Sequence, residues 1–308
     1  MQGRVRVSGK QTETHTLPRK VIIMTYEISR RNFFKFAAFG IGGATLAAAS
    51  LTGCAQGSKS GAKDDKTVSV ACSPTPHAEI LNGVVAGVLA KQGYKLVVRE
   101  FNDYVQPNVV TEEGEVDANY YQHIPYLDDF NAKKGTHLVP LSAVHFEPFG
   151  FYPGTKKSFA DIAKGDKISI PSDATNEGRA LLLLQEAGLI KIDPKAGVKA
   201  TKNDVIENPH NIQLVELEAA QTSRSIKDVA FAGINANFAI DAGLKVGKDS
   251  IALEDAKGKA AQTYANILVV KKGNETLDKI KALNTALTSD ETRKFITEHF
   301  KGGVLPVF

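Results

Sequence analysis

A polar run that leads into an apolar helix contains the best candidate for anion binding in this sequence. The segment SDATNEGRALLLLQ places Asp173, Thr175 and Asn176 at positions typical of helix N-terminal caps, with Arg179 in the first turn. Free amide N–H groups and the positive end of a helix dipole favour an anion. A guanidinium adds a two-pronged hydrogen bond to a carboxylate. This motif alone fits either a carboxylate site or a capped helix with a solvent-facing arginine.

Aromatic residues are concentrated in two short segments. Tyr104 stands in FNDYVQPN, and the segment DANYYQHIPYL contributes Tyr120, Tyr121, His123 and Tyr126. Several rings near one loop can enclose an apolar side chain, and a thioether is well suited to ring edges. Packing inside a core explains the same pattern, so the residues alone leave both interpretations open.

Two asparagines lie beside strand-like apolar runs farther along the chain. Asn235 and Asn266 each carry an amide oxygen that can accept from an ammonium group. Each also carries an amide nitrogen that can donate to a carboxylate. Both are therefore candidate binding residues for a polar ligand.

Motifs of common enzyme classes are missing from the sequence. It contains no G-x-S-x-G elbow, no Walker loop and no H-E-x-x-H. His145-Phe146-Glu147 resembles the H-x-E of zinc deaminases, but their paired cysteines are missing. The two cysteines, Cys54 and Cys72, cannot form a four-ligand zinc site. The sequence therefore predicts no catalytic residues, no metal site and no cofactor.

Basic residues are concentrated near the N-terminus. Residues 1–54 contain eight Lys/Arg and two Asp/Glu, whereas the remainder contains 30 basic and 32 acidic residues. The folded part is thus nearly neutral, which removes the main electrostatic support for nucleic-acid binding. The 308 residues suffice for two ordinary domains or one large domain.

Residues 1–53 are interpreted as a leader for export. SRRNFFK precedes 16 uncharged residues, Phe36 to Leu51, whose helical length of about 24 Å is short of a membrane span of about 30 Å. This is typical of a signal peptide, and the paired arginines resemble a twin-arginine signal. Residues 1–23 fit no targeting pattern, so Met24 is the more natural start and the first 23 residues are interpreted as a misassigned extension.

The sequence Leu51-Thr52-Gly53-Cys54 resembles a bacterial lipobox, in which the cysteine is acylated and becomes the first mature residue. The small, polar residues that follow have little to bury, so residues 54–66 are predicted to form a flexible tether. Cys54 is therefore the predicted lipidation site and membrane anchor.

From Thr67 onward, strand-like runs alternate with helical periods. The predicted strands are Val68–Cys72, Leu96–Phe101, Ala118–Tyr121, Leu138–Leu141, Lys167–Ile170, Ile212–Leu217, Val229–Ala232 and Ala265–Lys271. The predicted helices are Ala78–Gln92, one near Pro107, one near Tyr126–Lys134, Glu177–Ala187, one near Glu275–Thr288 and Asp290–Phe300. The run Leu181 to Leu184 makes its helix apolar nearly all round and predicts that it is buried. This order predicts the α/β class with substantial parallel pairing.

Five segments occur together in an order that resembles one family. They are FNDYVQPN, VDANYYQHIPYL, PSDATNEGRALLLLQEAGLI, ENPHNIQLVELEAAQ and GIN at residues 233–235. They are similar to signatures of the methionine-binding lipoproteins of ABC importers, the MetQ/NlpA family. The similarity runs from about Thr67 to Phe308.

The resemblance implies a two-lobed, type II periplasmic (solute) binding protein fold with mixed sheets and a ligand cleft between the lobes. Lobe 1 would comprise residues 67–148 and about 262–308, and lobe 2 about residues 149–261. Closure of the lobes around the ligand would create the shape that a permease recognises.

The resemblance also implies a role for each candidate residue. The pocket for a methionine side chain would use Tyr104, Tyr121, His123 and Tyr126. The carboxylate would be held from the second lobe by Asn176 and Arg179, and the polar contacts would be completed by Asn235 and Asn266. Tyr121 stands where a phenylalanine is often found, so its hydroxyl is expected to change pocket polarity.

The implied function is that of an extracytoplasmic, lipid-anchored, monomeric binding protein that delivers L- or D-methionine to an ABC permease and its ATPase. Desolvating a zwitterion is costly unless both charges find partners, which gives selectivity for free amino acids. Within the same class, the ligand could be another small apolar amino acid or a methionine-containing dipeptide. Other classes are an extracellular enzyme on a related fold and a surface adhesin or scaffold without a ligand. The missing nucleophile–base set argues against the enzyme, and Arg179 with the aromatic cluster argues against the scaffold.

Overall fold

The computed structural model describes residues 66–308. The predicted leader, the lipidation site at Cys54 and the tether up to residue 65 lie outside these residues. None of the helices between residues 66 and 308 combines the length and the apolar character that a membrane span requires.

The described residues form two main sheets and the helices that cover them. In chain order the strands are β1 (Thr67–Cys72), β2 (Lys95–Glu100), β3 (Ala118–His123), β4 (Leu138–Phe146), β5 (Gly150–Pro153), β6 (Lys167–Pro171), β7 (Lys191–Ile192), β8 (Val205–Glu207), β9 (Gln213–Leu217), β10 (Phe231–Ile234), β11 (Ala252–Leu253), β12 (Ala265–Lys271) and β13 (Leu305–Pro306). The α-helices are α1 (Ala86–Lys91), α2 (Gln106–Glu112), α3 (Ile124–Lys134), α4 (Ala174–Glu186), α5 (Ala219–Thr222), α6 (Ala236–Asp241), α7 (Lys259–Thr263), α8 (Asp278–Leu287) and α9 (Asp290–Phe300).

The first sheet has six strands in the order β13-β4-β12-β3-β1-β2. β1 pairs in parallel with β2 and β3, whereas β12 pairs antiparallel with β3 and β4. The sequence order predicts substantial parallel pairing, which β1, β2 and β3 show, whereas β4 pairs antiparallel with β12 and β13. The late strand β12 inserts between β3 and β4, a long-range pairing that local periodicity does not reveal.

A continuous apolar core lies between the first sheet and its helices. Two π-helical turns, Pro74–Ala78 and Leu81–Val85, precede α1, and the predicted apolar face packs inward through Ile80, Leu81 and Leu89. These side chains meet β1, β12 and α8 in one cluster. Burial of this apolar surface, worth roughly 25 cal/mol per Å², stabilises the sheet that carries half of the candidate site.

The second sheet has five strands in the order β11-β5-β10-β6-β9, and β7 pairs separately with β8. β6 lies parallel to β9 and β10, while β5 lies antiparallel to β10 and β11. Phe149, Phe151 and Phe231 pack with α4 into a second core. The helix α4 is buried along most of its length, as its apolar composition predicts.

The chain crosses between the sheets twice. It leaves the first sheet at the end of β4, enters the second at β5, and returns after β11 to form β12. The α/β class, the mixed sheets and the two-lobed binding-protein fold are thereby confirmed, whereas the lobe boundaries stay predictions.

Several predicted elements differ from the observed ones at their ends. The helix predicted from Glu177 begins at Ala174, because Asp173 is the N-cap and its carboxylate accepts from the Asn176 N–H at 3.0 Å. The strand predicted at Leu138–Leu141 continues to Phe146 along β12. Cys72 lies in β1 as predicted, and burial raises the pKa of its thiol to about 12.

Candidate ligand-binding site

All eight ligand-binding candidates predicted from the sequence line one cavity. Its empty volume, including the part open to solvent, is about 360 Å³. The lining residues are Tyr104, Tyr121, Gln122, His123, Tyr126, Glu147, Asn176, Arg179, Asn235, Ala236, Asn237 and Asn266. They come from the ends of β3, β4 and β12, the loop between β2 and α2, and α3 in the first half of the site, and from α4 and the β10–α6 junction in the second.

The aromatic wall of the cavity is built around Tyr104. Its ring centroid lies 5.9 Å from those of Tyr121 and Tyr126 and 5.0 Å from that of Phe238. The hydroxyls of Tyr121 and Tyr126 both donate to the Tyr104 carbonyl, at 2.8 and 2.9 Å. The Tyr121 hydroxyl is therefore already paired with backbone.

A chain of amide hydrogen bonds fixes the orientation of Asn235. The Asp173 carboxylate accepts from the Asn176 Nδ2 at 3.0 and 3.1 Å, so the Asn176 Oδ1 must face the other way. That oxygen accepts from the Asn235 Nδ2 at 2.9 Å. The Asn235 Oδ1 is then left buried, without a hydrogen-bond partner among residues 66–308.

Asn237 supplies the opposite kind of unpaired group. Its Oδ1 accepts from the Tyr104 hydroxyl at 2.6 Å, and its buried Nδ2 has no partner within the described part of the chain. Native proteins pair nearly all buried polar atoms, so an unpaired acceptor and an unpaired donor in one cavity point to a ligand with both functions.

His123 contributes a neutral ring between the aromatic and polar walls. As N-cap of α3, its Nδ1 accepts from the Tyr126 N–H at 3.2 Å, which leaves the Nε2–H to donate to the Asn176 Oδ1 at 3.3 Å. Burial, aided by the nearby Arg179 charge, lowers the pKa of His123 to about 3. The ring is thus uncharged at neutral pH.

Arg179 is buried in the wall and is held by Glu254. Its Nε and Nη2 donate to the two Glu254 carboxylate oxygens at 2.7 and 2.6 Å, and Nη2 also donates to the Glu147 carbonyl at 2.6 Å. Burial acts to lower the pKa of Arg179, but the Glu254 carboxylate outweighs it and the pKa is raised. The alternative of a solvent-facing arginine is therefore wrong, and Nη1 makes no hydrogen bond to any residue in 66–308.

Glu254 also joins the two segments that cross between the sheets. Its Oε2 accepts from the Phe149 N–H at 2.8 Å, and its own N–H donates to the Phe149 carbonyl at 3.0 Å. The Arg179–Glu254 ion pair is thereby attached to the backbone of both crossings.

A buried network lies behind Glu147. The Glu147 Oε1 lies 2.7 Å from the His145 Nε2 and 3.3 Å from the His77 Nε2, which also lies 3.0 Å from the Asn266 Oδ1. The His145 Nδ1 contacts the Tyr120 hydroxyl, which donates to it. Burial lowers the pKa of His77 to about 4 and that of His145 to about 3, so both rings are neutral.

The distances in this network are those of hydrogen bonds. The atoms of His77, His145 and Glu147 that could ligate a metal ion lie within 4.8 Å of one another. The 2.7 Å contact between His145 and Glu147 is shorter than the roughly 3.3 Å that separates ligands around tetrahedral zinc. The H-x-E pair thus contributes to the cavity wall through Glu147.

Some cavity residues have only a weak signal in the sequence. Asn237 stands two positions after Asn235, a spacing that could have drawn attention to it. Glu254 follows a strand of two residues and meets Arg179 across 75 positions, so no local pattern marks it. The H-x-E motif is the only signal for Glu147 in the sequence.

Comparison with known proteins gives a consistent family. The sequence model of the NlpA lipoprotein family matches residues 68–308. The methionine-binding lipoprotein MetQ of Bacillus subtilis (strain 168) is 40% identical over 259 residues, which cover 82% of this chain and 92% of that protein.

Solved structures extend the similarity to the whole described fold. The crystal structure of a lipoprotein from Ruminococcus gnavus is 53% identical, with a TM-score of 0.78. The match covers 79% of this chain and 100% of the Ruminococcus gnavus chain. A nutrient binding protein from Burkholderia cenocepacia, solved bound to methionine, is 39% identical with a TM-score of 0.74 and covers 78% of this chain and 100% of that chain.

Proposed function

The chain belongs to the NlpA lipoprotein family, and from this membership we propose that it binds methionine outside the membrane and delivers it to an ABC importer. The observation that carries the proposal is the pair of unpaired buried groups in the cavity, the Asn235 Oδ1 and the Asn237 Nδ2. One fits the ammonium group and the other the carboxylate of a free amino acid.

The proposed ligand position follows from the chemistry of the walls. The carboxylate lies toward the free Nη1 of Arg179 and the Nδ2 of Asn237, and the ammonium group toward the amide oxygens of Asn235 and Asn266. Asn176 contributes by holding Asn235 in its orientation. The thioether side chain lies against the rings of Tyr104, Tyr121, His123 and Tyr126, whose edges favour sulfur.

The proposed cellular role includes a lipid anchor on Cys54 at the extracytoplasmic face of the membrane. The partners are an ABC permease and its ATPase, which receive the ligand from a monomeric binding protein without chemical turnover. Membership in a family of lipoproteins supports this role, and so does the methionine-bound relative of the same fold.

Calorimetric titration tests the proposal directly. The purified protein is unfolded and refolded to remove any bound ligand, and then titrated with L-methionine, D-methionine and a panel of other amino acids. We expect saturable binding of methionine at micromolar concentration or tighter, which corresponds to about −8 kcal/mol. Arg179→Ala should abolish it.

The matched control is Arg99→Ala, which removes an exposed arginine paired only with Glu115 at 3.1 Å. This variant should bind methionine like the wild type. If the protein binds a different amino acid and not methionine, the proposed transport role stands but the proposed ligand is wrong. Absence of binding across the panel, with folded protein shown by circular dichroism, would contradict the proposed function.

A further inference from the structure

The formal charges that line the cavity do not cancel. Arg179 and Glu147 are the two charged lining residues, and the Arg179 charge is already matched by Glu254 through two hydrogen bonds. The Glu147 carboxylate has no lysine or arginine nitrogen within 4.0 Å among the described residues, and its ion-pair contacts are to His77 and His145. Both rings are neutral, so no cation among the described residues pairs directly with the Glu147 carboxylate; burial raises the pKa of Glu147, and the more distant Arg179 charge acts in the opposite direction.

Glu147 is buried, with 5% of its surface exposed, so its charge is not solvated by bulk water. A buried charge is costly unless a partner of opposite sign approaches it. The neutral imidazoles donate hydrogen bonds to the carboxylate but supply no positive charge. A cation that enters the cavity would therefore gain more from Glu147 than from any other group in the wall.

Three residues with acceptor oxygens line the cavity together, Asn235, Asn266 and Glu147. The Asn235 Oδ1 is unpaired, and the Asn266 Oδ1 and the Glu147 Oε1 lie near each other, because both are close to the His77 Nε2, at 3.0 and 3.3 Å. An ammonium group has three hydrogen-bond donors and no acceptor. The number and the character of these groups match.

We propose that Glu147 is the counter-ion for the ammonium group of the ligand and makes the site reject carboxylic acids that lack this group. This inference rests on the proposed function, because it assumes an amino-acid ligand. It adds a residue that the sequence motifs did not assign, and it predicts which part of the ligand that residue recognises.

Ligand analogues test the proposal on the unmodified protein. L-Methionine is compared with 2-hydroxy-4-(methylthio)butanoate, which replaces the ammonium group with a hydroxyl, and with 4-(methylthio)butanoate, which has no group there. We expect both analogues to bind at least about 100-fold more weakly than methionine, as for loss of a charged hydrogen-bond partner. A hydroxy analogue within about threefold of methionine, the difference of a weak neutral contact, would overturn the proposal.

The variant Glu147→Gln keeps the size of the side chain and removes its charge. Its methionine affinity should fall about 100-fold while the affinity for the hydroxy analogue stays within about threefold, so that the selectivity collapses. Equal losses for both compounds would show that Glu147 only supports the fold of the wall and would overturn the proposal.

The matched control is Glu177→Gln, another buried carboxyl, which accepts from the Lys202 N–H at 2.7 Å and does not line the cavity. Its selectivity should equal that of the wild type. If the wild type binds another amino acid instead of methionine, the methionine proposal fails but the same comparison with the hydroxy analogue of that amino acid still decides the role of Glu147. If Glu147→Gln does not fold, a hydroxy analogue that binds the wild type within about threefold of methionine still overturns the proposal.

Discussion

The two walls of the cavity handle buried charge in different ways. On the wall built by α4, the charge of Arg179 is matched by Glu254, and the charge of Asp173 is surrounded by donors from Asn176 and Thr175. On the wall built by the first sheet, Glu147 is surrounded by the neutral rings of His77 and His145. The first wall thus presents a neutralised ion pair and a carboxylate that does not line the cavity, whereas the second has a carboxylate that does.

The difference shows how a site can be both stable and selective. A satisfied ion pair has no need of a ligand, so the α4 wall can persist in the empty protein. A carboxylate among neutral donors is only partly compensated, so the opposite wall gains most when a cation binds. The ion pair of the α4 wall is thus complete without a ligand, whereas the proposed discrimination among ligands depends on Glu147 in the opposite wall.

The largest effect on stability is expected from a fall in pH, which protonates the buried histidines His77, His123 and His145. The pKa values of His77, at about 4, and of His123 and His145, at about 3, lie below the roughly 6.5 of an unfolded-state histidine. Their contribution to stability is therefore complete above about pH 6.5 and is lost as the pH falls toward the folded values. Burial raises the pKa of Glu147 and Asp173, which partly offsets this loss.

We expect the free energy of unfolding to fall by roughly 5 kcal/mol between pH 6.5 and pH 4.5, because each histidine contributes a slope of up to about 1.4 kcal/mol per pH unit. Urea denaturation at several pH values measures it. His145→Gln should flatten the profile, whereas His137→Gln, at an exposed ring, should not. A wild-type stability that is constant over this range would show that the rings are charged or solvated.

The next largest effect is expected from breaking the ion pair of the α4 wall. Glu254→Ala leaves the Arg179 guanidinium buried without its carboxylate and should cost about 3–5 kcal/mol of unfolding free energy. Chemical denaturation measures the loss. Lys191→Ala, which breaks an exposed pair with Glu207, should cost at most about 1 kcal/mol. Similar losses in the two variants would contradict the contrast drawn between the walls.

A smaller effect is expected from the cap of α4. Asp173→Ala removes the N-cap and should cost about 1–2 kcal/mol of unfolding free energy. It also frees the Asn176 amide to rotate, so the Asn235 Oδ1 is no longer kept unpaired, and methionine affinity should fall about tenfold. Calorimetry and denaturation measure the two effects.

Ser289→Ala separates these two effects of the cap. Ser289 caps α9, where its hydroxyl accepts from the Thr292 N–H at 3.2 Å, far along the chain from the cavity residues. It should lower stability by a similar amount and leave methionine affinity unchanged. An Asp173 variant with wild-type affinity would show that the amide chain does not orient Asn235.

Local signals in the sequence explain why the ends of some helices and strands agree with the prediction. The helix Asp290–Phe300 has the predicted ends, because Ser289 caps its start and the helix ends at Lys301 in a left-handed conformation. The strand Ala265–Lys271 also has the predicted ends, because the apolar run Ile267–Val270 lies within it. In contrast, β5 and β11 are short and antiparallel, and their pairing depends on residues about 100 positions apart.

The site shows the same limit of sequence reasoning. The motifs predict Tyr104, Asn176 and Arg179 as site residues, and these residues line one cavity. No motif marks their buried partners, because Glu254 and His77 meet the site only through tertiary contacts. A motif can identify a binding group, but only the fold shows whether its charge is already matched.

The attachment of Glu254 to Phe149 has a mechanical consequence. Any rotation of one sheet relative to the other must bend the chain at the two crossings, and at this place the crossings are linked to each other and to Arg179. A carboxylate that draws the Arg179 guanidinium toward itself therefore applies its force at the pivot. If the proposed ligand binds Arg179, it contacts the side chain that is attached to both crossings through Glu254.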